Sequence, residues 1–246
     1  MTRLYADDAE LYDIAFDWDI EEEVDWLYER LERPSSVLEP GCGSGRMLAS
    51  FADRGVDVAG IDLSPRMIEL ARRRLGGRGS VAVAEMTNFD LGRTFDGGVC
   101  PINTLLHLTP EQLARHLASM ERHTSHYLVQ VGLIEPQTHD PFAGSHWEAE
   151  RGETKLKVDW VDEELDPERG LSRQRSRIEV LAGPRAGEVV EEIHTMTAWT
   201  PTTWRAAIEA SPFAEVATYD AGRKGARPEV DHNATGGLLW HDLRRR

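Results

Sequence analysis

Residues 37 to 46, VLEPGCGSGR, place a glycine at every second position, and this stretch constrains the fold more than any other. A short apolar run leads into Glu39 and a proline, and Gly41, Gly43 and Gly45 follow. Beyond the turn, apolar residues recur at helical spacing, so the order predicts strand, tight turn and helix. Glycine adopts positive φ without strain and has no Cβ to obstruct a ligand. The free N–H groups of the following helix suit polar ligand atoms, so the stretch predicts a nucleotide-type pocket.

The pattern of strand and helix continues on both sides of this turn. Residues 20–33 carry an apolar stripe typical of an amphipathic helix. Further on, strands are predicted at 36–40, 56–62, 81–84, 95–100 and 127–131, and helices at 45–54, 65–75 and 110–122. Such alternation implies parallel pairing in a doubly wound sheet. Two final strands, at 213–219 and 237–243, bring the expected sheet to seven.

The alternation breaks after Gly132, where the pattern becomes that of antiparallel strands. These strands are predicted at 146–151, 155–161, 171–181 and 188–198, before a helix at 200–210. We therefore expect an α/β fold: a doubly wound, mainly parallel seven-stranded Rossmann-like sheet with an inserted antiparallel β lid. Residues 1–139 and 200–246 would form the sheet domain, and residues 140–199 the lid over a substrate.

Composition excludes several classes of partner. The chain has 43 acidic and 28 basic residues, a formal net charge of −15, which disfavours DNA or RNA as a partner. It has no run of about 20 apolar residues that would cross a membrane, and its acidic N-terminus lacks an apolar signal core. We expect a cytoplasmic protein that binds neither nucleic acid nor membrane. Oligomeric state is open, a homodimer being one option.

The glycine spacing and one acidic residue narrow the range of ligands that this turn could bind. A dinucleotide turn requires G-x-G-x-x-G, and the sixth position counted from Gly41 is Arg46. Asp62 closes the second strand, where a carboxylate can accept hydrogen bonds from both hydroxyls of a ribose. The alternative for Asp62 is an acid that stabilises the start of the next helix. Together these residues favour an adenosine-type ligand over a nicotinamide dinucleotide.

Four stretches, residues 39–46, 60–75, 84–91 and 95–109, occur in an order and spacing that resemble the class I S-adenosylmethionine-dependent methyltransferases. The likeness is strongest to small-molecule methyltransferases that begin with a Y-D-x-x-F/Y stretch, here Tyr12 to Phe16. It covers about residues 10–132 and implies S-adenosyl-L-methionine as the cofactor.

The resemblance also implies residue roles. Glu39 would orient the methionine amino group, Asp62 would hold the ribose, and Glu85 would reach the adenine, although the family often has the shorter Asp there. The residues expected around the cofactor are Tyr12, Phe16, Glu39, Gly41, Cys42, Gly43, Gly45, Asp62, Leu63, Met67, Glu85, Met86, Pro101 and Asn103.

The sequence contains fewer signals for the catalytic residues and for the residues that bind the methyl acceptor. His107, four residues after Asn103, and His146, at the start of the insert, are candidate catalytic bases; a packing or capping role is the alternative for each. The pair His123-x-x-His126 lacks the further ligands that a metal site needs, so no metal is expected. The insert carries Trp147, Trp160 and Trp199, which either line the acceptor or form the core of the inserted sheet.

The resemblance predicts an enzyme that moves a methyl group to N or O of a small-molecule acceptor by in-line displacement. The main alternative is a non-catalytic regulatory protein that binds the same cofactor. Aminopropyl transfer on the same fold is disfavoured, because the loop after residue 100 lacks the acids expected for a polyamine. A nicotinamide oxidoreductase is disfavoured by Arg46 in the third glycine's place.

Overall fold

Strands and helices alternate in the structure much as the sequence predicts. A computed structural model describes residues 2–134, 144–221, 229–230 and 237–246. Its helices are α1 (Ala9–Ala15), α2 (Glu21–Arg30), α3 (Arg46–Asp53), α4 (Pro65–Leu75), α5 (Pro110–Glu121) and α6 (Pro201–Glu209), with short 3-10 helices at Arg3–Tyr5 and Thr104–His107.

The main sheet has seven strands in the order β10-β11-β5-β4-β1-β2-β3. Its strands are β1 (Ser36–Pro40), β2 (Asp57–Asp62), β3 (Gly79–Val83), β4 (Gly97–Cys100), β5 (His126–Leu133), β10 (Phe213–Asp220) and β11 (Gly237–Arg245). The first five pair in parallel, whereas β11 is antiparallel to both of its neighbours. The predicted doubly wound, mainly parallel sheet is confirmed. The carboxyl ends of β1, β2 and β4 therefore meet at one edge, where ligands bind in such sheets.

Local signals in the sequence set the helix starts. The Ser64 hydroxyl accepts a hydrogen bond from the Met67 N–H at the start of α4, and Pro65 is its first residue. Thr109 and Gln112 form a reciprocal capping box on α5. Helix α2 is shorter than the predicted 20–33, because Glu32 and Arg33 adopt φ of 63° and 59°, which ends the helix.

The inserted strands form a second, antiparallel sheet, called the lid sheet below, in the order β6-β7-β8-β9. Its strands are β6 (Ser145–Arg151), β7 (Thr154–Asp166), β8 (Leu171–Ala182) and β9 (Val189–Thr197). The predicted inserted antiparallel sheet is confirmed. The predicted boundary at residues 139 and 140 lies outside the described residues, and the division into a sheet domain and a lid stays a prediction.

Two apolar cores cover the faces of the main sheet. One contains side chains of β4, β5, α5 and α6, such as Leu113, Tyr127 and Trp204; the other contains those of α2, α3 and α4, such as Leu27, Phe51 and Ile68. All six are fully buried. Each such side chain stabilises the fold by roughly 1.5–3 kcal/mol, so the sheet is a rigid platform for its carboxyl edge.

A third core joins the N-terminal segment to the lid sheet. Leu4, Leu11 and Ala15 pack against Val158 and Ile178 of the lid sheet. Ion pairs reinforce this contact, since the buried Asp13 of α1 binds Arg74 of α4 at 2.8 Å and Arg151 of β6 at 2.6 Å. Helix α1 is therefore held between the lid sheet and the main domain.

Within the described ranges, no helix is long and apolar enough to cross a membrane.

Candidate cofactor cleft

The glycine turn after β1 contains three residues with positive φ: Gly41 (70°), Gly43 (52°) and Gly45 (75°). A Cβ on Gly45 would lie 3.0 Å from the Cβ of Ala71 and 3.2 Å from its Cα, so this glycine allows α3 and α4 to pack closely. A Cβ on Gly43 would meet no atom within 4 Å. Gly43 thus borders open space, as a residue that a ligand approaches would.

Asp62, at the end of β2, is fixed to this turn. Its Oδ2 accepts a hydrogen bond from the Gly43 N–H at 2.9 Å, and its Oδ1 accepts one from the Ser64 N–H at 2.8 Å. Burial raises the pKa of Asp62, and these backbone N–H groups oppose the rise because they stabilise the carboxylate. The carboxylate is held in a fixed orientation at the carboxyl edge of the sheet.

Glu39, at the end of β1, has an unsatisfied oxygen. The residue is 3% exposed, and its Oε2 has no hydrogen-bond partner among the described residues. Burial raises the pKa of Glu39 well above its usual value, while the Arg46 charge opposes the rise. A buried acceptor without a donor costs about 1–3 kcal/mol, so this carboxyl group is arranged for a donor that a ligand brings.

Arg46, which stands where a dinucleotide turn has its third glycine, lies close enough to Glu39 for their charges to interact. Its guanidinium carbon sits 4.6 Å from the centre of the Trp18 ring, and its NH1 donates to the Trp18 carbonyl at 3.0 Å. Burial lowers the pKa of Arg46, and the charges of Glu23 and Glu39 oppose this. A buried acid therefore precedes the glycine turn and a half-buried base follows it, an arrangement that suits a zwitterionic ligand.

The loop after β4 has a strained backbone. Ile102 and Asn103 have φ of 54° and 57°, a region that a β-branched residue rarely adopts. Strand β5 holds them there: the Ile102 N–H donates to Gln130 Oε1 at 2.7 Å, and the Gly132 N–H donates to Asn103 Oδ1, also at 2.7 Å. Such strain persists where surrounding contacts enforce it, and it concentrates at functional sites.

The residues predicted to border adenine differ in exposure. Leu63 is 55% exposed and Glu85 is also exposed, with its Oε1 accepting a hydrogen bond from the Thr87 hydroxyl. Met86 is half-buried. Met67 is 1% exposed and packs against Ala9 and Leu70, so its side chain belongs to the core.

Aromatic side chains connect α1 to the inner face of the lid sheet. Tyr12 and Phe16 stack with ring centres 4.3 Å apart. Phe16 in turn contacts Trp147 and Trp160 edge to face, at 5.5 and 5.8 Å. The Trp147 Nε1–H donates to the Ala15 carbonyl at 2.7 Å, which ties the lid sheet to the end of α1. The predicted residues Tyr12, Phe16, Trp147 and Trp160 thus form one aromatic wall.

His107 lies at the end of this wall. Its Nε2 is 3.4 Å from the Tyr5 hydroxyl, and its ring centre is 6.5 Å from that of His194. His194, on β9, stacks on Trp160 at 4.7 Å and is bonded through Nε2 to the Ser176 hydroxyl at 2.8 Å. His107 is exposed at the surface, although neighbouring side chains desolvate its ring. This desolvation lowers the pKa of His107 to about 4, and the charge of His194 lowers it further. Sequence reasoning missed Tyr5 and His194, since neither belongs to a motif.

Two predicted residues lie away from the cleft. His146 is on the opposite face of the lid sheet from Trp147, because neighbouring residues of a strand alternate faces, and it bonds there to Asp159 at 2.7 Å. Trp199 is 3% exposed and packs against Trp204 in the core of the main domain. Neither side chain lies on the aromatic wall, and a catalytic role for His146 and an acceptor-binding role for Trp199 stay predictions.

Cys42 is a packing residue in the same turn. It is 5% exposed, lies in the core beside α3, and burial raises the pKa of its thiol. Pro101 is buried at the start of the strained loop. Among the described residues, no three His, Cys, Asp or Glu side chains are grouped as metal ligands.

Residues 37–126 match a family described as a Methyltransferase domain. A curated relative, dTDP-4-amino-2,3,4,6-tetradeoxy-D-glucose N,N-dimethyltransferase from Saccharopolyspora spinosa, is 34% identical over 138 residues, which are 53% of this chain and 54% of the relative. A second, dTDP-3-amino-3,6-dideoxy-alpha-D-glucopyranose N,N-dimethyltransferase from Streptomyces fradiae, is 33% identical over 42% of this chain and 40% of the relative. The chain matches about half the length of these relatives.

Solved structures resemble the chain over nearly its full length. The S-adenosylmethionine-bound amino pentose methyltransferase CalS10 from Micromonospora echinaspora has a TM-score of 0.74 at 22% identity and covers 95% of this chain and 96% of its own. DesVI from Streptomyces venezuelae has a TM-score of 0.75 at 22% identity and covers 95% and 97%. These likenesses concern the fold. The chain therefore shares the fold of these methyltransferase structures, and its residues 37–126 are similar to that Methyltransferase domain.

Proposed function

We propose that this chain is an S-adenosylmethionine-dependent methyltransferase that moves a methyl group to a nitrogen atom of a small-molecule acceptor by in-line displacement. The observation that carries the proposal is the buried Glu39 oxygen without a partner, two residues before the glycine turn. An amino group of the cofactor's methionine part would supply the missing donor, and its positive charge would keep the carboxylate ionised.

The residues of the cleft fit the other parts of this cofactor. Arg46 would bind the carboxylate of the methionine part, and Asp62 would accept hydrogen bonds from the ribose hydroxyls. Gly43 leaves room for the chain that joins them, because no protein atom lies within 4 Å of its Cβ position. When bound, S-adenosylmethionine supplies a methyl group that is already activated on sulfur.

The protein's own contribution to the transfer is then positioning and the exclusion of water. The strained loop at Ile102 and Asn103 follows β4 at the same edge as the glycine turn. The aromatic wall lies between α1 and the lid sheet, where it would shield the transferred group from solvent. His107 would accept a hydrogen bond from the acceptor's N–H, since a neutral imidazole has one free nitrogen lone pair.

Nitrogen is proposed over oxygen because two of the relatives are named N,N-dimethyltransferases of dTDP-linked amino sugars. We propose the same acceptor class here, an amino sugar linked to a nucleotide. The rings of Tyr5 and Trp160 would favour its ammonium form on arrival through cation–π attraction. A non-catalytic cofactor-binding protein is the alternative, and a cytoplasmic location and a homodimer stay predictions.

Calorimetric titration with S-adenosylhomocysteine tests the cofactor, with Asp62→Ala as the weakened variant. Transfer of a labelled methyl group tests the reaction, with a dTDP-amino sugar as acceptor and the matching dTDP-sugar that has a hydroxyl group instead. We expect binding by the wild type and label on the amino sugar alone. Binding without transfer to any acceptor would favour the regulatory alternative, and absence of binding would refute the proposal.

A further inference from the structure

The segment between β3 and β4 contains neither helix nor strand over residues 84–96. Three of its backbone carbonyls nevertheless accept hydrogen bonds from side chains of α5 and of the residue that follows it. The bonds run from His116 Nδ1 to the Met86 carbonyl (2.9 Å), from the Ser119 hydroxyl to the Thr87 carbonyl (3.3 Å) and from the Arg122 guanidinium to the Phe89 carbonyl (2.8 Å). Helix α5 thus acts as a template for a segment that has no regular structure of its own.

Buried polar side chains on a helix require an explanation, because burial is unfavourable unless they are hydrogen-bonded. His116, Ser119 and His123 are 0%, 2% and 1% exposed. Ser119 lies three residues from His116, on the same side of α5, and His123 follows just beyond the end of the helix. His123 continues the pattern, since its Nε2 accepts a hydrogen bond from the Leu91 N–H at 3.0 Å. The stripe is polar where the rest of the buried face is apolar, and it meets the backbone of the 84–91 segment.

His116 is the member that contacts Met86, and its tautomer is defined by its two partners. The Met86 carbonyl can only accept, so Nδ1 carries the proton and donates. The other nitrogen, Nε2, then accepts from the Tyr127 hydroxyl at 2.9 Å. Burial lowers the pKa of His116 to about 4, so the imidazole is neutral near pH 7 with both nitrogens satisfied. The ring therefore links the Met86 carbonyl to the centre of the main sheet.

We infer that His116 is a positioning residue for adenine recognition: from α5 it fixes the Met86 carbonyl and thereby orients the Glu85–Met86 turn toward the adenine edge. This inference rests on the proposed function and on the expected place of Glu85 and Met86 beside the adenine of its cofactor. Glu85 is exposed and Met86 half-buried. The Asn88 N–H closes the turn locally on the Glu85 carbonyl at 3.1 Å, and the His116 bond fixes the Met86 carbonyl from α5. Without the His116 bond the turn would still form, but its polar groups would no longer be aligned with the exocyclic amino group of adenine.

Two substitutions test the two ring nitrogens of His116 separately. Asparagine places its NH₂ group near the position of Nδ1, so His116→Asn retains the donor to Met86. Glutamine places its NH₂ group near the position of Nε2, so His116→Gln removes that donor. Tyr127→Phe is the control for the other bond, because it leaves the Met86 contact intact.

The readout is the ratio of the dissociation constants for S-adenosylhomocysteine and S-inosylhomocysteine, which differ in the exocyclic group of the base. We expect His116→Gln to lower the preference for adenine by about 2- to 10-fold, the worth of one net hydrogen bond. His116→Asn and Tyr127→Phe should keep the wild-type preference. The KM of the methyl acceptor should stay unchanged in all three variants, while the KM of S-adenosylmethionine rises in His116→Gln.

An unchanged preference in His116→Gln would overturn the inference. Failure of the wild type to bind S-adenosylhomocysteine would instead overturn the proposed function, so the two failures are distinguishable. If His116→Gln does not fold, ¹⁵N imidazole NMR of the wild type decides: the Nδ1–H signal of His116 should shift when S-adenosylhomocysteine binds and shift less with S-inosylhomocysteine. Equal responses to the two ligands would contradict the inference.

Discussion

Gly43 and Asp62 are joined by a hydrogen bond, in which the Gly43 N–H donates to Asp62 Oδ2 at 2.9 Å. The bond connects the turn after β1 to the end of β2, so the two motifs recognised separately in the sequence form one unit. Asp62 thereby fixes the turn and still has oxygen lone pairs available for a ligand, because each carboxylate oxygen can accept more than one hydrogen bond.

Asp62→Asn should weaken S-adenosylhomocysteine binding by about 10- to 100-fold, since hydrogen bonds to a charged group are worth roughly 1.5–3 kcal/mol. The amide keeps the shape of the side chain but loses the charge and one acceptor. Calorimetry gives the affinity. Asp57→Asn is the matched control on the same strand, because Asp57 is exposed at the far end of β2 and pairs with Arg93. An equal loss in both variants would contradict a ligand role for Asp62.

Gly43→Ala and Gly45→Ala should fail in different ways. Both introduce a side chain at a residue with positive φ, which destabilises the fold by roughly 1–2 kcal/mol. At Gly45 the methyl group also meets the Ala71 backbone at 3.2 Å, so Gly45→Ala should lose more stability in urea unfolding. At Gly43 the methyl group enters open space, so the fold should survive while S-adenosylhomocysteine binding falls by about 5- to 150-fold, the effect of roughly 1–3 kcal/mol of overpacking. Equal stability of the two variants would argue against this assignment.

The fold was predictable because its signals are local. Ser64 with Pro65, and Thr109 with Gln112, mark helix starts within four residues of sequence. The alternation of apolar residues in 145–198 distinguishes the lid sheet from the helices around it. Each of these patterns involves residues that are close together along the chain. They can therefore be recognised in a single sequence without a structure.

The site was only partly predictable because its remaining parts depend on distant packing. His194 stands beside His107 through the pairing of β9 with β8, and no motif marks it. Trp199 and Trp160 look alike in the sequence, yet one lies in the main core and the other on the lid sheet. His116 acquires its role from a carbonyl 30 residues earlier in the chain.

Asn103→Ala should destabilise the loop after β4. The substitution leaves the Gly132 N–H without its acceptor, which lowers stability by about 1–3 kcal/mol. It also removes a residue type that tolerates positive φ. Urea unfolding measures the loss of stability, and kcat should fall with it, because Ile102 and Asn103 would no longer be held at the carboxyl end of β4. Asn88→Ala, at an exposed position, should change stability by less than about 0.5 kcal/mol. A fully stable Asn103→Ala with normal kcat would contradict this account.

The pH dependence of the reaction should come from the acceptor and not from His107. The pKa of His107 is lowered to about 4, so its neutral form is already complete at pH 6 and is lost only as the pH falls toward 4. An amine acceptor must lose a proton before it can attack, so kcat/KM should rise from pH 6 to pH 9 in step with the acceptor's own ionisation.

His107→Gln should lower kcat/KM by about 100-fold, the lower end of the contribution of a positioned proton acceptor, without changing the shape of the pH profile. His146→Gln is the comparison, since His146 faces away from the cleft and its loss should leave the rate unchanged. The measurement is the pH profile of kcat/KM for the wild type and both variants, recorded with the same amino sugar as acceptor. A wild-type limb with an apparent pKa near 6.5 that disappears in His107→Gln would show that His107 titrates during turnover, because the free acceptor is identical in the two measurements.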